Sequence, residues 1–137
     1  MTFEELSNTL PNGFHDATLQ RFEMDYMSRI LVLDVVMFIG ELDDPSRREL
    51  YRPARVTVEN VAYLVIDPPD PLYAFAKPGD LQIDTGEGVP ASHDCQLPEP
   101  PLGTTLTWMY IADFNRCLYF AGGDSQIEWT EPEENRT

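Results

Sequence analysis

Ile30-Leu31-Val32-Leu33-Asp34-Val35-Val36-Met37-Phe38-Ile39 is the longest apolar run of the chain, and only Asp34 interrupts it. A run of this length cannot cross a bilayer, which needs about 20 apolar residues in a helix. Its β-branched and aromatic content favours strand over helix. Apolar residues on both phases predict a strand covered on both faces, hence a central one. A carboxylate within such a strand costs several kcal/mol unless it is paired. Arg21 or Arg55, on neighbouring strands, is the expected partner of Asp34. An ion pair is the plainer reading and a catalytic carboxylate the sharper one.

Upstream, the period is two: Phe22, Met24 and Tyr26 alternate with Arg21, Glu23 and Asp25. Ala17 and Leu19 lie in the opposite phase, which predicts a bulge near Gln20. Met27-Ser28-Arg29 reads as a turn into the central strand. Thr2 and Glu5 form a capping-box pattern, so a short helix is expected over 3–9, ended by Pro11-Asn12-Gly13. Downstream, the charged stretch 41–49 is a surface connection. Residues 54–66 read as a hairpin turning at Glu59-Asn60.

Eight of the twelve prolines fall within 67–103. That segment is expected to be an ordered loop, with one short strand at Leu81 to Asp84. Regular order resumes at Thr105 to Ala112, turns at 113–116, and continues through Cys117 to Ala121. A last strand spans Gln126 to Thr130. The expectation is therefore a mainly β protein: an antiparallel sandwich or partly open barrel of 7–8 strands with one short N-terminal helix. Residues 1–130 make a single β-rich domain and 131–137 a polar, acidic tail expected to fray.

Charge is the strongest functional signal. Twenty-four acids face nine bases, a formal net of -15. Residues 1–55 hold ten acids against six arginines, and residues 56–137 hold fourteen acids against three bases. Such a surface repels nucleic acid and anionic membranes and attracts basic proteins or metal cations. The N-terminal sequence has no basic stretch followed by an apolar one, so a cytoplasmic protein is expected. Cys95 and Cys117 show no zinc-type spacing and read as reduced thiols, though a pair between them stays open.

No GxSxG, Walker, GxGxxG or HExxH motif is present, and no cofactor is indicated. Both histidines open a His-Asp dipeptide: His15-Asp16 and His93-Asp94. Neutral imidazoles and carboxylates suit a divalent metal, so these four residues are the candidate metal ligands of a binding module or metal-dependent hydrolase. Local turn capping is the plainer reading. His93-Asp94-Cys95 could also suggest a thiol nucleophile, but neighbouring carboxylates raise a thiol pKa. For a partner-binding surface the candidates lie on the proline-rich loop: Asp67, Asp70, Tyr73, Phe75, Asp80, Asp84 and Glu87. Asp80, Asp84 and Glu87 sit beside glycines in a way that suits calcium, although the spacing is not that of an EF-hand. Long ordered loops in compact domains are often functional.

Leu10-Pro11-Asn12-Gly13-Phe14-His15-Asp16-Ala17, the stretch from Tyr51 through Arg55 to Val58, and Ile66-Asp67-Pro68-Pro69-Asp70-Pro71 resemble a family of small bacterial proteins of unknown function, over most of the chain. The His-Asp-Ala start of the first strand is also similar to immunity proteins of bacterial polymorphic-toxin systems. The resemblance implies no functional residues. Three readings follow. The leading one is a non-enzymatic acidic domain that binds a basic protein, in the manner of an immunity protein. The second is the metal site. The third is a structural subunit of an assembly that uses an exposed strand edge or an apolar patch.

Overall fold

The computed structural model describes residues 1–41, 43–73, 79–88 and 96–135. It opens with α1 (Phe3–Asn8), where the capping box forms: Glu5 N–H donates to Thr2 Oγ1 and Thr2 N–H to Glu5 Oε1, each at 3.1 Å. Antiparallel strands follow: β1 (Thr18–Asp25), β2 (Ile30–Phe38), β3 (Leu50–Val58), β4 (Tyr63–Ile66), β5 (Leu81–Glu87), β6 (Thr105–Ile111), β7 (Arg116–Gly122), β8 (Ser125–Trp129) and the two-residue β9 (Glu134–Asn135). They form one open sheet in the order β4-β7-β6-β5-β1-β2-β3-β8, with β9 beside β8 on the edge of β3.

The sheet folds into two layers because its middle joint is short. β1 and β5 pair only through Thr18↔Gln82 and Leu19↔Leu81. Beyond those residues the two halves turn toward each other. Leu31, Leu33, Val35 and Met37 of β2 and Ala54, Val56 and Val58 of β3 meet Ile83, Met109, Ile111, Leu118 and Phe120 of the other half. Phe3 of α1 plugs one end: it stacks on Phe14 at 4.5 Å and meets Phe120 edge-on at 5.3 Å. These are the expected architecture, the expected helix and the expected central strand. The strand at 81–84 is longer than read, running on to Glu87.

The bulge lies where the phase change put it, with a register shift between Leu19 and Arg21. It moves inward-facing positions from Leu19, opposite Val35, to Phe22, opposite Leu33. Phe22 nevertheless stays 38% exposed, because β5 leaves β1 after Leu19. Asp34 takes both candidate partners. Arg55 donates to it at 2.8 Å, and Arg21 lies 3.6 Å away from the other side. Register continues the row to Glu128, so Arg21, Asp34, Arg55 and Glu128 alternate in charge across four strands. Opposite charges on facing strands stabilise such a row.

Two expectations fail. Residues 54–66 are not a hairpin: β3 pairs with β2 and β8, whereas β4 pairs with β7. Asn60 is left-handed, at φ 53°, and carries the chain from one layer to the other. The crossing is held from both sides. Glu59 N–H donates to Asp124 O at 2.8 Å, and the Arg29 guanidinium donates to Val61 O and Ala62 O at 3.2 and 3.3 Å. The tail does not simply fray either. Glu134 and Asn135 pair with Tyr51 and Leu50, and Arg47 lies 3.7 Å from Glu133.

Candidate functional site

The loop that follows β4 folds back onto the tip of the β6–β7 hairpin. That tip, Ala112 to Asn115, needs a left-handed residue to close, and Asn115 supplies it at φ 51°. Its side chain then works in both directions. Tyr110 Oη donates to Asn115 Oδ1 at 2.7 Å, and Asn115 Nδ2 donates to Asp70 Oδ2 at 3.0 Å. Arg116 approaches the same carboxylate oxygen at 3.5 Å and also donates to Asn115 O at 2.9 Å. Asp70 Oδ1 accepts from Leu72 N–H at 3.0 Å, closing a turn. These donors hold the Asp70 carboxyl below the ordinary carboxylate range, with the Leu72 N–H as the largest cause and Asn115 next. Its side chain is only 16% exposed.

Asp67 is likewise spent on the fold. Its N–H donates to Cys117 O at 3.1 Å, and its carboxylate lies near the Tyr119 hydroxyl. Burial first, then the Cys117 thiol and Asp67, push the Tyr119 phenol well above its usual value. Burial also raises the Cys117 thiol, which makes it a poorer nucleophile.

The open carboxylates lie beside this knot. Ala112 N–H donates to Gln82 O at 3.0 Å, so the hairpin tip sits against the start of β5. That contact gathers Asp113, Asp80, Asp84 and Asp16 at one end of the sheet. Asp84 projects from the outer face opposite Tyr110, since its neighbour Ile83 points into the core. Asp80 receives only long contacts, from Gln20 Nε2 at 3.4 Å and Thr18 Oγ1 at 3.5 Å. Asp16 accepts from Gln82 Nε2 at 3.0 Å and faces His15 Nε2 at 3.4 Å. Among the described residues, no arginine pairs with Asp80, Asp84 or Asp113. Five of the six first-half arginines are committed elsewhere. Arg21 and Arg55 hold Glu23 and Asp34, and Arg47 holds Glu41 and Glu133. Arg29 binds backbone, and Arg52 lies over Trp129 at 4.8 Å while donating to Glu131 O.

The seven candidate partner-binding residues are therefore divided. Asp67 and Asp70 are staples of the loop. Tyr73 is exposed beside them, and Asp80 and Asp84 are exposed at the same end. Glu87 lies three residues beyond Asp84 on β5, opposite Thr107 and on the other phase, so it does not join them. Phe75 lies outside the described residues. So do His93, Asp94 and Cys95, which leaves only the His15-Asp16 half of the candidate metal site in view. Among the described residues, no three His, Cys, Asp or Glu side chains converge as metal ligands. Sequence reasoning missed Tyr110, Asn115 and Arg116 as the framework of the loop. The signal available was Asn115 itself, an asparagine in a four-residue turn, where left-handed geometry frees its amide to reach outward.

No protein-family model, curated protein or solved structure matches the chain. Among the described residues, no helix is long and apolar enough to cross a membrane.

Proposed function

We propose that this chain is a non-enzymatic, cytoplasmic protein-binding domain that holds a basic partner against an anionic face, in the manner of an immunity protein. One observation carries the reading. Asp80, Asp84 and Asp113 gather at one end of the sheet with no arginine paired to them among the described residues, while Arg21, Arg29, Arg47, Arg52 and Arg55 are occupied by other neighbours and the backbone. A cluster of uncompensated charge on a rigid framework speeds encounter with an opposite charge and selects against like-charged partners. Tyr73, exposed on the same loop, supplies the aromatic contact that protein interfaces favour. Asp67 and Asp70 serve this face indirectly, by fixing the loop that carries Tyr73.

The test is affinity capture on the immobilised protein from its native host, at about 50 mM and about 300 mM salt. Capture of a basic protein at the lower salt, weakened at the higher, supports the reading. Capture of no basic protein at either salt refutes it.

A further inference from the structure

The strand edges left open among the described residues include the Arg21–Asp25 part of β1, the Asp84–Glu87 part of β5, which carries two acids, the outer side of β8, and the outer side of β4. Native proteins guard such edges with charge or proline. β1 carries Arg21, Glu23 and Asp25, and β8 carries Glu128 beside the acidic tail. Within β4 itself there is neither charge nor proline: it reads Tyr63-Leu64-Val65-Ile66, with Asp67-Pro68-Pro69 only after its end and Tyr63 Oη donating to Pro98 O at 2.7 Å. Its end also exposes apolar side chains, with Ile66 55% exposed and Leu72, six residues on, 91% exposed.

We infer that this edge joins a second copy of the chain, β4 against β4 in antiparallel, two-fold pairing. The backbone phase permits it. Asp67 N–H donates to Cys117 O, so by alternation Tyr63 and Val65 also face β7, and Leu64 and Ile66 turn their N–H and C=O groups outward. A two-fold axis at Val65 then sets Leu64 of each copy opposite Ile66 of the other, bonding through four backbone hydrogen bonds. Val65 meets its own counterpart, and each exposed Ile66 is covered. The pairing is self-complementary, as a two-fold interface must be. Charge selects this edge over the others. With a net charge of -15, self-association is disfavoured most where carboxylates are opposed. A two-fold axis at the middle of the β1 stretch opposes Glu23 with Glu23 and leaves only Arg21, already held by Glu23 and Asp34, to face Asp25, while the β8 edge brings two Glu128 and two acidic tails together. On β4 the paired residues are uncharged.

The salt response separates this contact from the binding proposed above. Screening relieves repulsion between two acidic copies, so self-pairing strengthens with salt, while attraction to a basic partner weakens. The measurement is light scattering on the full chain from about 10 μM to about 1 mM, at about 50 mM and about 300 mM salt. The average mass is expected to rise with concentration toward twice that of one chain, and to rise earlier at the higher salt. Ile66→Lys places a guarding charge on the edge, and Ile66→Glu adds a like charge; both alter an exposed side chain, and each is expected to weaken pairing at least about tenfold. Leu102→Lys, at a still more exposed position off the edge, leaves pairing unchanged. A single-chain mass at every concentration and both salts overturns the inference, as does a dimer that both Ile66 variants leave intact.

Discussion

Asn115 is the residue on which the loop and the hairpin tip both depend, and two substitutions separate its roles. Asn115→Gly keeps the left-handed backbone, which glycine adopts freely, and removes the side chain. The loss is the bond from Tyr110 Oη and the bond to Asp70. At about 1 kcal/mol net for each partly buried bond, the variant loses about 2 kcal/mol. Asn115→Ala loses the same bonds and must also hold φ 51° with a Cβ, which adds about 1 kcal/mol. The predicted order is wild type, then glycine, then alanine, with steps of about 2 and about 1 kcal/mol. Urea unfolding followed by the fluorescence of Trp108 and Trp129 reads this directly. With a slope of about 2 kcal/mol per molar, the glycine variant shifts the midpoint down by about 1 M and the alanine variant by about 1.5 M. An alanine variant more stable than the glycine variant refutes the left-handed argument. A glycine variant as stable as wild type refutes the hydrogen-bond argument.

Phe14→Ala removes a fully buried ring stacked on Phe3 and is expected to cost about 3–5 kcal/mol in the same urea assay; a cost below about 1 kcal/mol contradicts the described core. Gly86→Ala is expected to expel Trp108 from its place, because an added Cβ falls 2.3 Å from the indole; a red-shifted emission with lower stability reports this, and an unchanged spectrum counts against it. The Asp70 carboxyl is held below its ordinary value, so its support for the loop is complete above the ordinary carboxylate range and disappears as pH falls through the lowered value. Near-ultraviolet circular dichroism of the tyrosines should therefore change only in acid below the usual Asp range, and Asp70→Asn should remove that step; persistence of the step in Asp70→Asn assigns it elsewhere.

Local pattern made the strands legible, and long-range pairing hid the rest. The central strand, the bulge near Gln20 and the partners of Asp34 all follow from phase and charge over a few residues. The supposed hairpin at 54–66 followed the same rules and failed. Alternation gives a strand its inner face but not its neighbour, and the bonds that send β4 across to β7 come from Arg29 and Asp124, far away in sequence. Asp67 and Asp70 looked like free carboxylates because Tyr119 and Asn115, which occupy them, lie some fifty residues further on. Asp80 and Asp84 were legible as acids of a base-poor stretch, because Lys77 is the only Lys or Arg between Arg55 and Arg116.

The most direct test of the anionic face replaces its charge and keeps its shape. Asp80, Asp84 and Asp113 are changed together to Asn, and retention of basic proteins from the host is compared with wild type at about 50 mM salt. The triple variant is expected to fold as wild type does and to lose the retained basic protein. Equal retention by both proteins contradicts the proposed anionic face.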